Sequence, residues 1–385
     1  MVLNDVTEFV RNGASIKQEK GCKGTPITRI ETISNSRFNY DRLGYADIFD
    51  DKYQDYYLQE NDVLLSHINS EKHLGRAVVY KQLTDENIIH GMNLLCLRFI
   101  KSRYNPSYFC YYSQSDIAKM YISRNTKKSV NQASITATAI KNMPIPATSI
   151  EEQQNVVHCL DSVKLIIDLY NEQVKKLDEL IKSRFVEMFG DPKINIYCFE
   201  KKNLKESCDI ITGNTPSRAN AEYYGNHIEW IKTDNILTNQ LYPSQADEFL
   251  SADGMNVGRY VDKGSILMSC IAGSLSSIGR VCITDRKVAF NQQINALVPK
   301  DYNVIFLYVL LLLSKDYLLE GINMALKGIL SKSGLGNKQL IIPPTDLQNQ
   351  FADFVTKVEQ QKATVQKSID KLETLKKSLM QEYFG

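Results

Sequence analysis

One helix ending is written twice in this chain. Residues 176–190 read KLDELIKSRFVEMFG and residues 371–385 read KLETLKKSLMQEYFG, with Lys, Leu, Leu, Lys, Ser, Glu, Phe and Gly at the same places and no gap. A duplicated element constrains the fold because it implies duplicated structural units around it. Upstream of each copy lies a second match, MPIPATSIEEQ (143–153) and IIPPTDLQNQ (341–350). The prolines there stop a helix from running in from upstream, and Thr148 with Glu151, and Thr345 with Gln348, read as capping boxes. A long helix follows each. Val156, Leu160, Val163, Ile167, Tyr170, Val174, Leu177 and Ile181 step alternately by 4 and 3. An offset of 195 turns them into Phe351, Val355, Val358, Lys362, Val365, Ile369, Leu372 and Lys376. Such a sustained period is a coiled-coil seam, and two matched seams predict that the helices pair with each other. Each would be roughly 60 Å long at 1.5 Å per residue. The caps align at 197 (345 − 148) and the seams at 195, so a two-residue difference is expected where the helices begin.

The stretches between the helices repeat more faintly. LNDVTEFVRNGASIK (3–17) faces LKESCDIITGNTPSR (204–218), with Gly13 or Gly213 opening a polar turn. NDVLLSHI (61–68) followed by LGR (74–76) faces GSILMSCI (264–271) followed by IGR (278–280). Both pairs read as a buried strand, a polar loop and a second strand leaving through Gly-Arg. With 385 residues, 43% hydrophobic and 23% charged, the chain has the length and composition for two globular domains plus extras. A net charge of +2 permits a nucleic-acid partner without demanding one. The eight cysteines form no CxxC pair and the five histidines no HExxH, so a zinc site is not expected. No signal peptide is visible, which predicts reduced, buried thiols in a cytoplasm. The run VIFLYVLLLL (304–313) is about half of the roughly 20 residues a membrane span needs, and reads as a buried core helix.

The order globule, helix, globule, helix, the proline-rich helix starts and KSRFVEMFGDP (182–192) together resemble the specificity subunit of type I restriction–modification systems. The resemblance covers essentially the whole chain. It implies a mixed α/β fold with two target-recognition domains, 1–142 and 193–340. Each is followed by a helical spacer, 143–192 and 341–385, and the spacers pair as an antiparallel coiled coil in a pseudo-twofold repeat. It also implies that each domain reads one half of a bipartite, asymmetric sequence in double-stranded DNA. The helices would dock two copies of an adenine methyltransferase subunit. By the same resemblance the chain is non-catalytic and binds no cofactor. S-adenosylmethionine belongs to the methyltransferase subunits, and ATP and magnesium to two restriction/translocase subunits where these are present.

The residues by themselves leave rival readings open. NPSY (105–108) is similar to the Asn-Pro-Pro-Tyr motif of adenine methyltransferases but departs at Ser107, and a helix starting at Pro106 competes with it. Asp191, Glu200 and Lys202 make a thin likeness to a nuclease cluster at a domain junction, and no Walker A segment is present. A coiled-coil scaffold with protein-binding globules is the rival from another class. What remains is binding chemistry, since Arg, Lys, Asn, Gln, Ser and Thr can contact phosphates and base edges. In the first globule the candidates are Ser15, Lys17, Arg29, His67, Asn69, Lys72, Arg76, Lys127, Lys128 and Asn131. In the second they are Thr215, Ser217, Arg218, Lys232, Thr233, Asn235, Ser274, Ser276, Ser277, Arg280, Lys332 and Ser333. Gly75-Arg76 and Gly279-Arg280 suit a shared turn or a shared phosphate contact. Trp230 reads as core rather than as a stacking platform.

Overall fold

The structure is a computed structural model that describes residues 1–17, 24–48, 51–129, 132–238, 240–274, 276–322 and 328–385. Asn131 and Cys22 lie outside the described residues. The chain divides into two compact units, one comprising 1–171 and 367–385 and the other 172–366, so the division falls inside both long helices.

In the first unit, strands β1 (Thr7–Asn12), β2 (Val63–Ser66), β3 (Ala77–Val79) and β4 (Leu94–Phe99) form an antiparallel sheet ordered β1-β4-β2-β3. Val63 and Leu65 point with Val10, Leu95 and Leu97 into one core; Leu64, Val78, Leu94 and Cys96 point into another. Apolar residues therefore run consecutively in β2, because both of its faces are covered. Helix α1 (Pro106–Tyr112) packs on the first of these faces through Tyr108 and Phe109. The first half of α2 (Ile150–Phe189) joins the same core through Leu160.

The second unit repeats this plan. Its strands are β5 (Cys208–Thr212), β6 (Tyr224–Ile231), β7 (Phe249–Leu250), β8 (Tyr260–Val261), β9 (Ile266–Ser269), β10 (Val281–Ile283), β11 (Val288–Phe290) and β12 (Ile294–Pro299). The main sheet is ordered β5-β12-β9-β10, the same first-fourth-second-third order as in the first unit. A second sheet, β7-β6-β11-β8, covers the face bearing Leu267, Cys282 and Ala296. The other face packs against α3 (Val304–Leu313), the apolar run, whose middle is fully buried. Among the described residues no helix is long and apolar enough to cross a membrane.

The long helices α2 and α4 (Thr345–Phe384) are both 40 residues and pack antiparallel. Early residues of one meet late residues of the other within each unit. In the first, the Tyr383 hydroxyl interacts with the Cys159 thiol, and the Phe384 ring lies tilted at 57° to that of Tyr108 with centroids 5.0 Å apart. In the second, Phe351 meets Phe185 and Phe189 edge-on with ring centroids 5.5 Å apart. All sixteen seam positions are buried or half-buried. The lysine at seam position 362 is held by Asp178 at 2.7 Å and Glu359 at 2.8 Å.

Two sequence expectations about the helix starts are corrected. The first capping box is formed by Ser149 and Glu152, whose side chains each bond the other's backbone N–H at 3.2 and 3.0 Å. Thr148 instead contacts the Tyr108 hydroxyl. At the second start Thr345 is already helical and Gln348 does not cap. Its Oε1 accepts the backbone N–H of Asn303 at 2.8 Å, and its Nε2 donates to the Pro343 carbonyl at 2.8 Å. Gln153 makes the same clasp, accepting from Asn105 N at 2.8 Å and donating to the Thr148 carbonyl at 3.0 Å. The helices begin at 150 and 345, an offset of 195 (345 − 150), so the expected two-residue difference does not exist. The Thr spacing misled because Thr148 and Thr345 are not equivalent positions.

Candidate nucleic-acid interface

In the antiparallel order shared by both sheets, one end of the sheet collects four junctions. They are the C-terminal ends of the first and second strands and the N-terminal ends of the third and fourth. In the first unit these junctions carry Ser15 and Lys17 after β1, His67, Asn69 and Lys72 after β2, and Arg76 before β3. Ile68–Asn69 also pairs with Ala133–Ser134, which pairs with Lys127–Lys128, so those lysines are brought to the same end. Arg29, half-buried, starts a short 3₁₀ segment elsewhere in the unit, its backbone N–H donating to Thr32 Oγ1 at 2.8 Å. In the second unit the same end carries Thr215, Ser217 and Arg218 after β5, Ser274, Ser276 and Ser277 after β9, and Arg280 before β10. Lys232, Thr233 and Asn235 follow β6, and Asn291 N donates to the Ile231 carbonyl at 3.0 Å, so that loop abuts the start of β12. Lys332 and Ser333 follow Leu330, whose N–H bonds the Cys270 carbonyl at 2.8 Å just beyond β9.

The Gly-Arg pairs are a shared turn. Gly75 and Gly279 have φ of 78° and 72°, the left-handed region that favours glycine. Their N–H groups bond Ser66 O and Ser269 O, both at 2.8 Å. Both arginines are half-buried: Arg76 hydrogen-bonds His73 Nδ1 at 2.8 Å, and Arg280 Nε donates to the Ser276 carbonyl at 3.1 Å.

The candidates differ in what they have left to offer. Ser15, Lys17, Lys72, Lys127, Ser217 and Lys332 are exposed. Lys128 is exposed but pairs with Glu71 at 2.7 Å. Asn235 is spent on its own turn, accepting from Lys232 N and donating to Ser244 Oγ and Gln245 O. Asn69 likewise bonds Ser66 Oγ and Ser70 N. Thr215 Oγ1 donates to Gln292 Oε1. Ser274 bonds both Ser276 and Ser277, and Ser333 bonds Ser331. His67 is buried, with Nδ1 unpartnered and its pKa lowered to about 4 by desolvation. Next to it His90 is buried with both ring nitrogens unpartnered, its pKa pushed down to about 3, mainly by desolvation and then by the Arg11 charge.

One residue at this end escaped the sequence reading. Glu248 accepts from Arg218 at 2.6 Å and from Lys232 Nζ, and these bonds, the Lys232 one foremost, lower its pKa. The Arg218 guanidinium lies 4.4 Å from the Tyr224 ring centroid and 5.2 Å from that of Trp230, and Lys232 Nζ lies 5.3 Å from Trp230. Trp230 is itself buried, its indole N–H reaching the Asn214 carbonyl at 3.3 Å. Two cations thus stand over an aromatic floor with one carboxylate between them. Only strand pairing brings Glu248 there, through Trp230 N bonding the Glu248 carbonyl at 3.0 Å, and no local pattern around residue 248 signals it.

The catalytic rivals find no support in the geometry. The Asn105 side chain accepts from Ser107 N at 2.9 Å and Tyr108 N at 3.4 Å, the N-cap of α1 with Pro106 as first helical residue, so its acceptor oxygen is consumed by the fold. Asp191 likewise caps its own turn through Lys193 N at 2.7 Å. Lys202 sits in exposed ion pairs with Glu200 and Asp301. Among the described residues no group of three or more His, Cys, Asp or Glu converges as a metal site would.

Comparison with known proteins agrees with this arrangement. The family described as type I restriction modification DNA specificity domain matches residues 1–179 and 198–374. A putative type I restriction enzyme MjaX specificity subunit of Methanocaldococcus jannaschii is 29% identical over 402 aligned positions, covering 98% of this chain and 90% of that one. The type I restriction enzyme HindI specificity subunit of Haemophilus influenzae is 37% identical over 105 residues, 27% of this chain and 22% of its own length. The crystal structure of the type I restriction–modification system S subunit from M. genitalium superposes with a TM-score of 0.58 at 12% identity, covering 100% of this chain and 95% of that one. A structure described as the basis of complex assembly and conformational transition of the type I restriction–modification system gives 0.56 at 17% identity, covering 100% and 96%. These two likenesses concern the fold. With a family match over both halves, the chain belongs to the type I restriction–modification DNA specificity family and is the non-catalytic specificity subunit of such a system.

Proposed function

We propose that the two globular regions, 1–142 and 193–340, each read one half of a split, asymmetric sequence in double-stranded DNA. The spacers 143–192 and 341–385 would fix the distance between the halves and dock two copies of an adenine methyltransferase subunit. One observation carries this reading. Both units use the same first-fourth-second-third sheet and gather nearly all of their candidate contacts at the same end of it, yet the side chains gathered are unlike. Equal scaffolds with unequal tips suit two readers of different half-sequences. Exposed Lys17, Lys72, Lys127 and Lys332 serve as phosphate contacts, while Arg218, Lys232 and Glu248 face base edges. S-adenosylmethionine is held by the methyltransferase subunits. ATP and magnesium are held by restriction/translocase subunits where these join, and the complex works in the cytoplasm.

The test is the pattern of methylated adenines genome-wide in cells carrying the partner methyltransferase. Arg218→Ala should relax only the second half of the target, whereas replacing the phosphate-contacting Lys17, Lys72 and Lys127 by alanine should lower methylation of all target sites evenly and relax neither half. Removing a base-edge hydrogen bond made by Arg218 costs about 1–3 kcal/mol and relaxes one position. A change confined to residues 1–142 that rewrites both halves would end the two-reader account.

A further inference from the structure

Gln153 and Gln348 make the same clasp where α2 and α4 begin, on helices that otherwise differ there. From 150/345 to 175/370 only Gln153/Gln348 and Val163/Val358 are identical. The valines are buried seam residues, and apolar packing accounts for them. The glutamines are 0% and 1% exposed, where an amide is costly unless it is hydrogen-bonded. Their partners match as well. Each Oε1 accepts the backbone N–H of an asparagine, Asn105 or Asn303, at 2.8 Å in both units. Each asparagine in turn caps a helix with its side chain, Asn105 at α1 and Asn303 at α3. Those two helices share no residue over the seven positions of the shorter one, PSYFCYY against VIFLYVL. The Asn–Gln pair recurs where its neighbours do not.

Within each unit the clasp joins two pieces of chain that packing alone would leave free to turn on each other. On one side is the asparagine of the globular region. On the other is the proline-rich lead into the long helix, where the Thr148 or Pro343 carbonyl accepts from Nε2 at 3.0 or 2.8 Å. In the second unit Nε2 also lies 3.4 Å from the Asp301 carbonyl. Apolar contacts such as those of Leu160 and Phe351 hold each helix to its globule without fixing a direction. Hydrogen bonds do fix one, because they weaken steeply once the donor angle falls from above about 150° toward 120°. One extra base pair between two half-sequences shifts the second by about 3.4 Å and turns it by about 35° around the duplex. A globule that swung on its helix to follow a turn of that size would break the clasp.

We propose that Gln153 and Gln348 are positioning residues that lock each reading globule onto its own helix and so restrict the complex to one spacing between half-sequences. They act through this chain's own backbone and not through contact with DNA. This rests on the reading that the globules read the two halves and the spacers set their distance, and it names the side chains that make that distance single.

The test maps methylated adenines genome-wide in cells carrying the partner methyltransferase and each full-length variant. Gln153→Met and Gln348→Met keep the length of the side chain but lose both bonds of the clasp. Each should keep both half-sequences and add sites spaced one base pair longer or shorter, with discrimination against those spacings falling roughly tenfold. Val163→Ala removes packing at the other matched position and leaves the clasp, so it should admit no new spacing. A merely structural glutamine would behave as Val163 does. A single unchanged spacing in both methionine variants therefore overturns the assignment, and so does a broadened spacing in Val163→Ala. If the methionine variants methylate nothing, Gln153→Glu and Gln348→Glu decide, since they keep the acceptor for Asn105 and Asn303 and lose only the donor. Anything other than added spacings in those variants is then equally fatal. A wild-type target that is not two halves at one fixed spacing overturns the two-reader account itself.

Discussion

Lys362 occupies a seam position that is apolar in most of the sequence pattern, and its replacement by methionine tests how the helix pair is held in the second unit. Its side chain is 11% exposed, and it bridges Asp178 on α2, 25% exposed, and Glu359 on its own helix, 19% exposed. Hydrogen bonds to both carboxylates raise the lysine pKa against an opposing burial effect, which is the largest single influence. Lys362→Met keeps most of the stem's packing but leaves two carboxylates facing each other without a cation. Breaking a fully buried pair costs about 3–5 kcal/mol. Because both carboxylates retain some water, about 2 kcal/mol is the appropriate expectation here. That corresponds to a roughly 30-fold loss of amide hydrogen-exchange protection, at 1.4 kcal/mol per factor of ten. The loss should fall on the second unit. Asp178→Asn combined with Lys362→Met should then cost less than the sum of the two, with a coupling of about 1–2 kcal/mol. Protection within a factor of two of wild type in Lys362→Met, with additive double-variant behaviour, would show that the cross-helix bridge contributes nothing.

Two further predictions concern the sheet ends. His67 and His90 have depressed pKa values in the folded state, about 4 and about 3 against 6.5, because burial disfavours their charged forms. The unfolded chain therefore binds more protons below pH 6.5, and the stabilisation present above that pH is lost as pH falls toward 4, by up to about 1.4 kcal/mol per pH unit for each histidine. Position 90 corresponds to Phe290 in the other unit, since Ala14 N and Asn214 N bond their carbonyls. His90→Phe should flatten the acid-induced loss of hydrogen-exchange protection in the first unit, and an unchanged slope between pH 6.5 and 4.5 would contradict the assignment. At the other sheet end, Glu248→Gln uncovers Arg218 and Lys232. Binding to unrelated DNA should strengthen and its salt dependence steepen by about one charge, while discrimination in the second half-sequence weakens. Weaker binding at an unchanged salt slope would reduce Glu248 to a purely structural role.

The sequence alone determined the periodic features. The two helices, their seam with Lys362 in it and the buried strands at 63–66 and 266–269 follow from spacings of a few residues, where backbone geometry leaves few choices, while the Gly-Arg pairs suited either a turn or a phosphate contact until the structure gave their glycines a left-handed φ. The helix starts were legible only in part. Proline placed them, but two threonines at similar spacing suggested capping boxes that the chain does not form, because Ser149 and Glu152 make the box at the first start and Gln348 is drawn to the amide of Asn303 at the second. Tertiary structure decided what depends on partners distant in the chain: the order of the sheet strands, the burial of His67, the absorption of Asn235 into its own turn, and the meeting of Arg218, Glu248 and Lys232. It also decided which repeated residues face solvent. A repeat shows that two positions are alike; only packing against the rest of the unit separates Phe189 and Phe384, kept by the cores, from Leu180 and Leu375, which no core holds.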